Sequence, residues 1–482
     1  MVFNSVGFFI FLGIVLLVDR LPLGWPQRKL NLLLASLIFY AAWYPPAVLL
    51  LVATLSIGYF SALAISGAER IDRKKTYLIL CLVMIFGELA VFKYAGFFWD
   101  NFAALALAMR WNVTDLRPNT FLPLGISFYT FQVASYVIDV YRGHMQPARS
   151  YRDFALCASF FPHLVAGPIV RFSDVYPQFK DPKRTTVDEL SQGIVLVIGG
   201  LFLKVTLGDA IFAPVVEAVY GASRLGAESG LNAVSAWSGI FAFAGQLYCD
   251  FAGYSICAVG LARCFGFRFP WNFRAPYGST SFSEFWTRWH ISLSTWIRDY
   301  VYRPLGGNRR GRARTVFNLM VSFILSGLWH GASWTFVIWG AIHGLIVVIE
   351  RSFRASRLST LVARVPALLM AVAVTIIWAL SLVFFRSSNV NDAVYLLGRA
   401  FSSAAAANVQ RLLPVVFPWQ IQLSFAVMAA IVLFHFLARQ KGSIALLESL
   451  STPVRSCTVA LLLVAMFITL PEKGHVFIYF QF

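Results

Sequence analysis

The stretch Met320–Ile349 reads MVSFILSGLWHGASWTFVIWGAIHGLIVVI and contains no Asp, Glu, Lys or Arg. A run this long and this apolar exceeds the roughly 20 residues that a helix needs to cross a hydrocarbon core. In hydrocarbon, only a helix or a closed barrel satisfies its own backbone polar groups. The stretch therefore points to a membrane-embedded, all-helical chain. Within it lies His330, preceded by Trp329 and followed by Gly331. Burying an ionisable side chain there costs free energy unless the group is paired or has a chemical task, so His330 is a candidate functional residue. A second histidine, His290, sits in the polar and aromatic string Phe285-Trp286-Thr287-Arg288-Trp289-His290.

The rest of the chain agrees with that solvent. Of its 482 residues 59% are hydrophobic and 13% charged, whereas soluble domains carry about 25% charged residues. Further apolar runs lie at 6–19, 31–44, 47–66, 77–98, 121–140, 190–215, 232–261, 365–386, 420–438 and 456–470, and the opening stretch divides into 315–330 and 333–350. No soluble stretch is long enough for a separate domain, so residues 1–482 read as one polytopic domain. Val6 onward reads as a retained first helix rather than a cleaved signal, because no basic region precedes it.

The net charge of +18 does not indicate nucleic acid. Its basic residues cluster in short loops, at 70–75, 142–152, 180–184, 303–314 and 351–364 and at Arg439 with Lys441, as the positive-inside rule expects of cytoplasmic loops beside anionic lipid. Residues 100–120 and 387–418, the latter with an alanine run, are then expected to face outward. The six cysteines lack metal-ligand spacing and imply neither a zinc site nor a disulfide framework.

Two stretches do not read as simple spans. Residues 155–170 are apolar but interrupted by Phe161-Pro162-His163 and Gly167-Pro168, which suggests a re-entrant element. Residues 272–303 interleave Asn272, Arg274, Glu284, Arg288, His290, Arg298 and Asp299 with aromatic residues, as the wall of a half-buried cavity would. Other polar residues within apolar runs include Glu88, Lys93, Gln132, Asp139, Lys204, Asp209 and Gln246. Their plainest reading is polar glue between helices. Lys204 and Asp209 are five apart, beyond the three or four that pair on an α-helix. Asp250 is the member of this group read as lining the site.

Several strings carry a family resemblance. Phe160-Phe161-Pro162-His163-Leu164-Val165-Ala166-Gly167-Pro168, the run Glu284 to Tyr300, and Gly327-Leu328-Trp329-His330-Gly331-Ala332 resemble the membrane-bound O-acyltransferase family. Further matches are the run Pro123 to Gln132, Phe92-Lys93-Tyr94, Tyr302 to Asn308 and Phe477 to Phe482. The likeness is greatest to its bacterial branch acting in alginate and other polysaccharide O-acetylation. It implies a ring of about 11–12 transmembrane helices with re-entrant elements around a central catalytic tunnel, in which a cytoplasmic donor cavity meets an outward acceptor cavity. The residue matching His330 is the expected catalytic residue, and that matching His290 a second functional one. At Asp250-Phe251-Ala252-Gly253-Tyr254-Ser255-Ile256 the chain has Ile256 where bacterial members often carry an aspartate. Residues 387–455 match least.

The chemistry can also be argued from the residues. Moving an acyl group from a thioester to a hydroxyl needs a base, and imidazole titrates nearest operating pH. His330 is the expected base and His290 an assistant. Arg288, Asn272, a tryptophan N–H or His290 itself are candidate oxyanion donors, with Trp289, Trp329, Glu284 and Asp250 in the supporting wall. The competing readings are a packing histidine at 330 and a structural hydrogen-bonder at 290. His163 is expected to brace the bend, and His144, His343, His435 and His475 to be structural or interfacial. No nucleophile elbow, dinucleotide fingerprint, Walker loop or zinc motif is present.

The sequence thus leads to an inner-membrane, multi-pass acetyltransferase in a bacterium. It is expected to hold no metal and no tightly bound cofactor, and to use acetyl-CoA or an acylated carrier protein as donor. An exported alginate-like or cellulose-like polysaccharide is the expected acceptor, with periplasmic acetyltransferase partner proteins. The alternatives are a membrane transporter and a non-catalytic scaffold of an export complex.

Overall fold

The computed structural model describes residues 3–111, 114, 116–118, 121–165, 167–181, 184–354, 356, 360, 364–403, 418–440, 451–470 and 477–478. Every regular element among them is an α-, 3-10 or π-helix. Each apolar run read from the sequence falls on a helix. Six of the described helices are long and apolar enough on their own to cross a membrane: Ala47–Gly67, Ile71–Ala108, Val187–Ser223, Trp334–Arg354, Ala367–Arg386 and Pro418–Ala438. The alanine run after Ser403, His475 and residues 479–482 lie outside the described residues.

The chain forms two compact units, Met1–Val197 with Cys257–Pro270, and Ile198–Ile256 with Trp271–Phe482. The first contains α1 (Val6–Arg20), α2 (Trp25–Ala41), α3 (Ala47–Gly67), α4 (Ile71–Leu89), α5 (Ala95–Ala108), α6 (Ile126–Tyr141), α7 (Tyr151–Ser159), α8 (Phe161–Leu164), α9 (Phe172–Val175) and the start of α10 (Val187–Phe202). In α1 the spacing of three to four sorts the face: Phe8, Phe11 and Val15 are buried, and Val6, Ile10, Ile14 and Leu17 are exposed. Ser5 caps this helix by accepting from Phe8 N at 3.2 Å. Charge is buried here in pairs. Arg28 donates to both oxygens of Asp19, at 3.0 and 2.7 Å, and Lys29 meets Asp153 at 2.7 Å. Removing one partner of such a pair strands a charge, at a cost of about 3–5 kcal/mol.

The polar residues of the first unit's apolar runs join helices, as glue would. Thr54 on α3 donates to Glu88 on α4 at 2.6 Å. Lys93, in a π-helical turn at Ala90–Tyr94, donates to Ser127 at 3.4 Å. Between α7 and α8 the helix breaks at Phe160, just before Pro162. His163 braces that break: its Nδ1 accepts from Gln132 Nε2 at 3.0 Å, and its Nε2 donates to the Cys157 carbonyl at 3.0 Å.

The second unit holds the end of α10, α11 (Ala213–Ser223), most of α12 (Ala233–Cys264), α13 (Phe282–Phe285), α14 (Ile291–Ile297), α15 (Gly311–His330), α16 (Trp334–Arg354), α17 (Ala367–Arg386), α18 (Val390–Ala400), α19 (Pro418–Ala438) and α20 (Thr452–Ile468). Between α10 and α11 the backbone is π-helical over Leu203–Phe212. A π-helix bonds residue i to i+5, so Lys204 and Asp209 share a face after all and meet at 2.6 Å. α15 and α16 form a tight hairpin. A Cβ on Gly327 would collide with the Phe336 carbonyl, and one on Gly340 with the Phe323 carbonyl, so the two backbones touch. That contact fixes the end of α15, where His330 stands.

Candidate active site

Two pieces of chain bring the histidines together. The first is the α15–α16 hairpin, which carries His330, 4% exposed, as the last residue of α15. The second is a backbone pairing between residues 272–274 and 288–292. Arg274 N donates to Arg288 O at 3.0 Å, Ile291 N donates to Asn272 O at 3.0 Å, and Ser292 N donates to Asn272 Oδ1 at 3.2 Å. His290 lies inside that pairing with a left-handed backbone, φ 42° and ψ 54°, and caps the start of α14. For a residue with a Cβ this conformation costs about 1–2 kcal/mol. Strain of this kind gathers at functional sites, where the surrounding structure enforces it.

The imidazole centroids of His290 and His330 are 6.3 Å apart. Aromatic rings form their surroundings. Phe251 meets His290 edge to face at 4.6 Å, and Trp329 lies 5.6 Å from it. Trp329, Phe385 and Trp339 stand 5.0, 5.1 and 5.2 Å from His330. Trp289 is 2% exposed and packs among Phe273, Phe285 and Trp378 at 5.0, 5.7 and 4.8 Å. It is therefore a core ring that holds the turn bearing His290.

The other residues singled out in the sequence take distinct places. Asn272 is 1% exposed, and its Oδ1 is held by Ser292; its Nδ2 has no acceptor among the described residues. That leaves a buried donor in the segment paired with His290. Arg288 is a clamp. Its guanidinium binds Glu284 at 2.9 Å and donates to the carbonyls of Arg274 and Arg439, each at 3.1 Å. Glu284 reaches back over the start of α13, accepting from Thr280 N at 2.8 Å, while the N-cap Ser281 accepts from Glu284 N at 3.2 Å. Burial pushes the Glu284 carboxyl up, but the bonds from Thr280 and Arg288 outweigh it and hold the group below the usual carboxylate range. Asp250 binds Lys204 at 2.6 Å and accepts from Ile478 N at 2.7 Å.

The other described histidines of this unit, His343 and His435, bridge helices. His343 on α16 meets Ser381 on α17 at 2.9 Å. His435 accepts from Tyr277 N at 3.3 Å and donates to the Tyr248 hydroxyl at 3.0 Å.

Beside the histidines lies a cavity of about 450 Å³, lined by Trp286, Ile291, Ser294, Arg298, Tyr302 and Ser326 among others. Ile291 follows His290, and Ser326 precedes His330 by one helical turn. Trp286 is 6.0 Å from Trp339, the ring that contacts His330. The lining is mostly apolar, with hydroxyls and one guanidinium at intervals.

Phe251, Trp339 and Phe385 escaped the sequence reading. For Phe251 a signal was present, its place directly after Asp250. Trp339 and Phe385 lie on helices that only the tertiary fold brings to His330.

Residues 148–388 match the family model described as MBOAT, membrane-bound O-acyltransferase family. The chain is 40% identical over 408 residues to a probable alginate O-acetylase AlgI of Azotobacter vinelandii, covering 83% of this chain and 78% of the relative. It is 35% identical over 398 residues to a peptidoglycan O-acetyltransferase of Helicobacter pylori, covering 77% and 73%. It is also 31% identical over 240 residues to a teichoic acid D-alanyltransferase of Lacticaseibacillus rhamnosus, covering 46% and 58%. On that family match and these relatives, the chain, an all-helical membrane protein with two buried histidines packed among aromatic rings, belongs to the membrane-bound O-acyltransferase family and is an acyltransferase.

Proposed function

We propose that this chain moves an acetyl group from a cytoplasmic thioester across the bacterial inner membrane for O-acetylation of an exported polysaccharide. The observation that carries the reading is the pair of buried imidazoles, His290 and His330, with centroids 6.3 Å apart among aromatic rings, next to a cavity lined by their chain neighbours Ile291 and Ser326. His330 acts as general base. Its neutral ring takes the proton from an acceptor hydroxyl, and the oxygen attacks the thioester carbonyl. The tetrahedral oxyanion then collapses, the C–S bond breaks, and the proton passes from imidazolium to the leaving thiolate. His290 orients the reacting groups. The Asn272 amide is the donor best suited to the oxyanion, since its oxygen is fixed by Ser292 and its N–H groups are buried.

The cavity supports a thioester donor. Its apolar walls suit an acyl arm, and Arg298 suits a phosphate on acetyl-CoA or on the arm of a carrier protein. The arginines at 303, 309, 310, 312 and 314 place further positive charge close in sequence. Relatives named for alginate and peptidoglycan O-acetylation favour a glycan acceptor, reached directly or through a periplasmic acetyltransferase partner.

The test is His330→Ala. Ester content of the exported glycan should fall by about 10²–10⁴-fold, the contribution of a general base, while membrane abundance stays normal. Near-normal acetylation at normal abundance would refute the assignment.

A further inference from the structure

Lys204, Asp209 and Asp250 form a buried charge cluster, each 2% exposed, that the acyl-transfer chemistry does not use. Lys204 Nζ lies 2.6 Å from Asp209 Oδ1 and 2.6 Å from Asp250 Oδ1. Asp209, on the same π-helical face, already balances the lysine, so neutralisation alone gives no reason for a second carboxylate. Its other oxygen supplies one: Asp250 Oδ2 accepts from Ile478 N at 2.7 Å, across 228 positions of sequence. A charged acceptor makes such a bond shorter and stronger than a neutral one. The neighbour of each partner is an aromatic residue. Phe477 packs on Tyr254 at 4.3 Å and on Phe251 at 6.2 Å, and Phe251 holds its edge against His290 at 4.6 Å. Gly253 lets α12 come this close to the Lys204 backbone, for a Cβ there would lie 2.6 Å from Gly200 O and 3.1 Å from Lys204 N.

We infer that Asp250 is a positioning residue: with Lys204 and Asp209 it latches residues 477–478 onto α12 and thereby sets the ring of Phe251 against His290. This inference rests on the reading of His290 and His330 as the acyl-transfer site. The latch needs an acceptor oxygen at 250 and an N–H at 478. Asp250→Asn keeps the acceptor and Asp250→Ala removes it. Lys204 remains paired with Asp209 in both variants, so both should insert. Ile478→Pro deletes the donor and changes no charge.

The test measures ester content of the exported glycan per molecule of membrane-inserted protein, for the full chain in its own exporting cell, with His330→Ala alongside. Asp250→Ala and Ile478→Pro should each lower acetylation by about tenfold, a modest value for a misplaced reactive group. Asp250→Asn should restore it to within about twofold, because the hydrogen bond survives. The double variant Asp250→Ala with Ile478→Pro should be no worse than Asp250→Ala alone, since two groups acting through one contact are not additive. Should Asp250→Ala fail to insert, Ile478→Pro alone decides. Full activity in Asp250→Ala or Ile478→Pro, equal loss in Asp250→Asn, or losses that multiply in the double variant would overturn the latch. If His330→Ala itself stays active, the acyl-transfer reading fails; if it is inactive while the latch variants are normal, only the latch fails.

Discussion

His163 and His290 are both buried histidines, 0% and 1% exposed, yet their surroundings differ in kind. Around His163 the groups are polar and directional, an amide on one ring nitrogen and a carbonyl on the other. That pattern fixes one neutral tautomer and ties a broken helix to α6. The His290 and His330 rings instead face Phe251, Trp329, Trp339 and Phe385. Rings of this kind give the two imidazoles an apolar, shape-defining wall. The two kinds of site therefore differ in the chemistry of their neighbours although their burial is the same, and the proposed division between bracing and reacting histidines rests on that contrast.

His330→Ala is the sharpest way to break that contrast, and its loss of about 10²–10⁴-fold should be the largest effect in the protein. Next comes His290→Gln. Glutamine preserves hydrogen bonding but takes no proton at operating pH, so a positioning role predicts a loss of about tenfold. The measurement is ester content at matched abundance, and a loss exceeding that of His330→Ala would reverse the division of labour. His163→Ala should act on stability alone. It leaves the Gln132 amide and the Cys157 carbonyl without their ring partner, at about 1–3 kcal/mol; thermal unfolding in detergent should shift while acetylation per folded molecule stays within about twofold. A large loss per folded molecule would erase the distinction. The smallest perturbation concerns sidedness. Cysteines at Arg312 and Ser402, introduced after replacing the exposed Cys457, should react with an impermeant thiol reagent from opposite faces of the membrane. Labelling of both from one face would remove the inside-to-outside route.

The helical class was legible in the sequence because hydrocarbon leaves the backbone so few options. His330 stood out because an imidazole in an apolar run is conspicuous, and His290 because it lies in a polar, aromatic string too polar for lipid. The π-helical turns were not: an α-helix was the natural assumption, and under it Lys204 and Asp209 fall out of register. Nor could the sequence tell that Arg288 clamps a turn, because one of its acceptors is the carbonyl of Arg439, 151 positions away. Nor could it tell that Asp250 accepts from Ile478 N, a partner still more distant in sequence. Besides the π-helical turns, what escaped the sequence were single long-range contacts, which no local pattern encodes.

The left-handed backbone at position 290 has a consequence for how the protein can vary. Asparagine, aspartate, histidine and glycine occupy that conformation with least strain, whereas branched residues are severe outliers there. Random variation at this position therefore meets a geometric filter before any catalytic one. Asparagine, aspartate and glycine pass it while removing the imidazole, so a laboratory lineage relieved of its need for acetylation should drift at 290 toward these three well before valine or isoleucine.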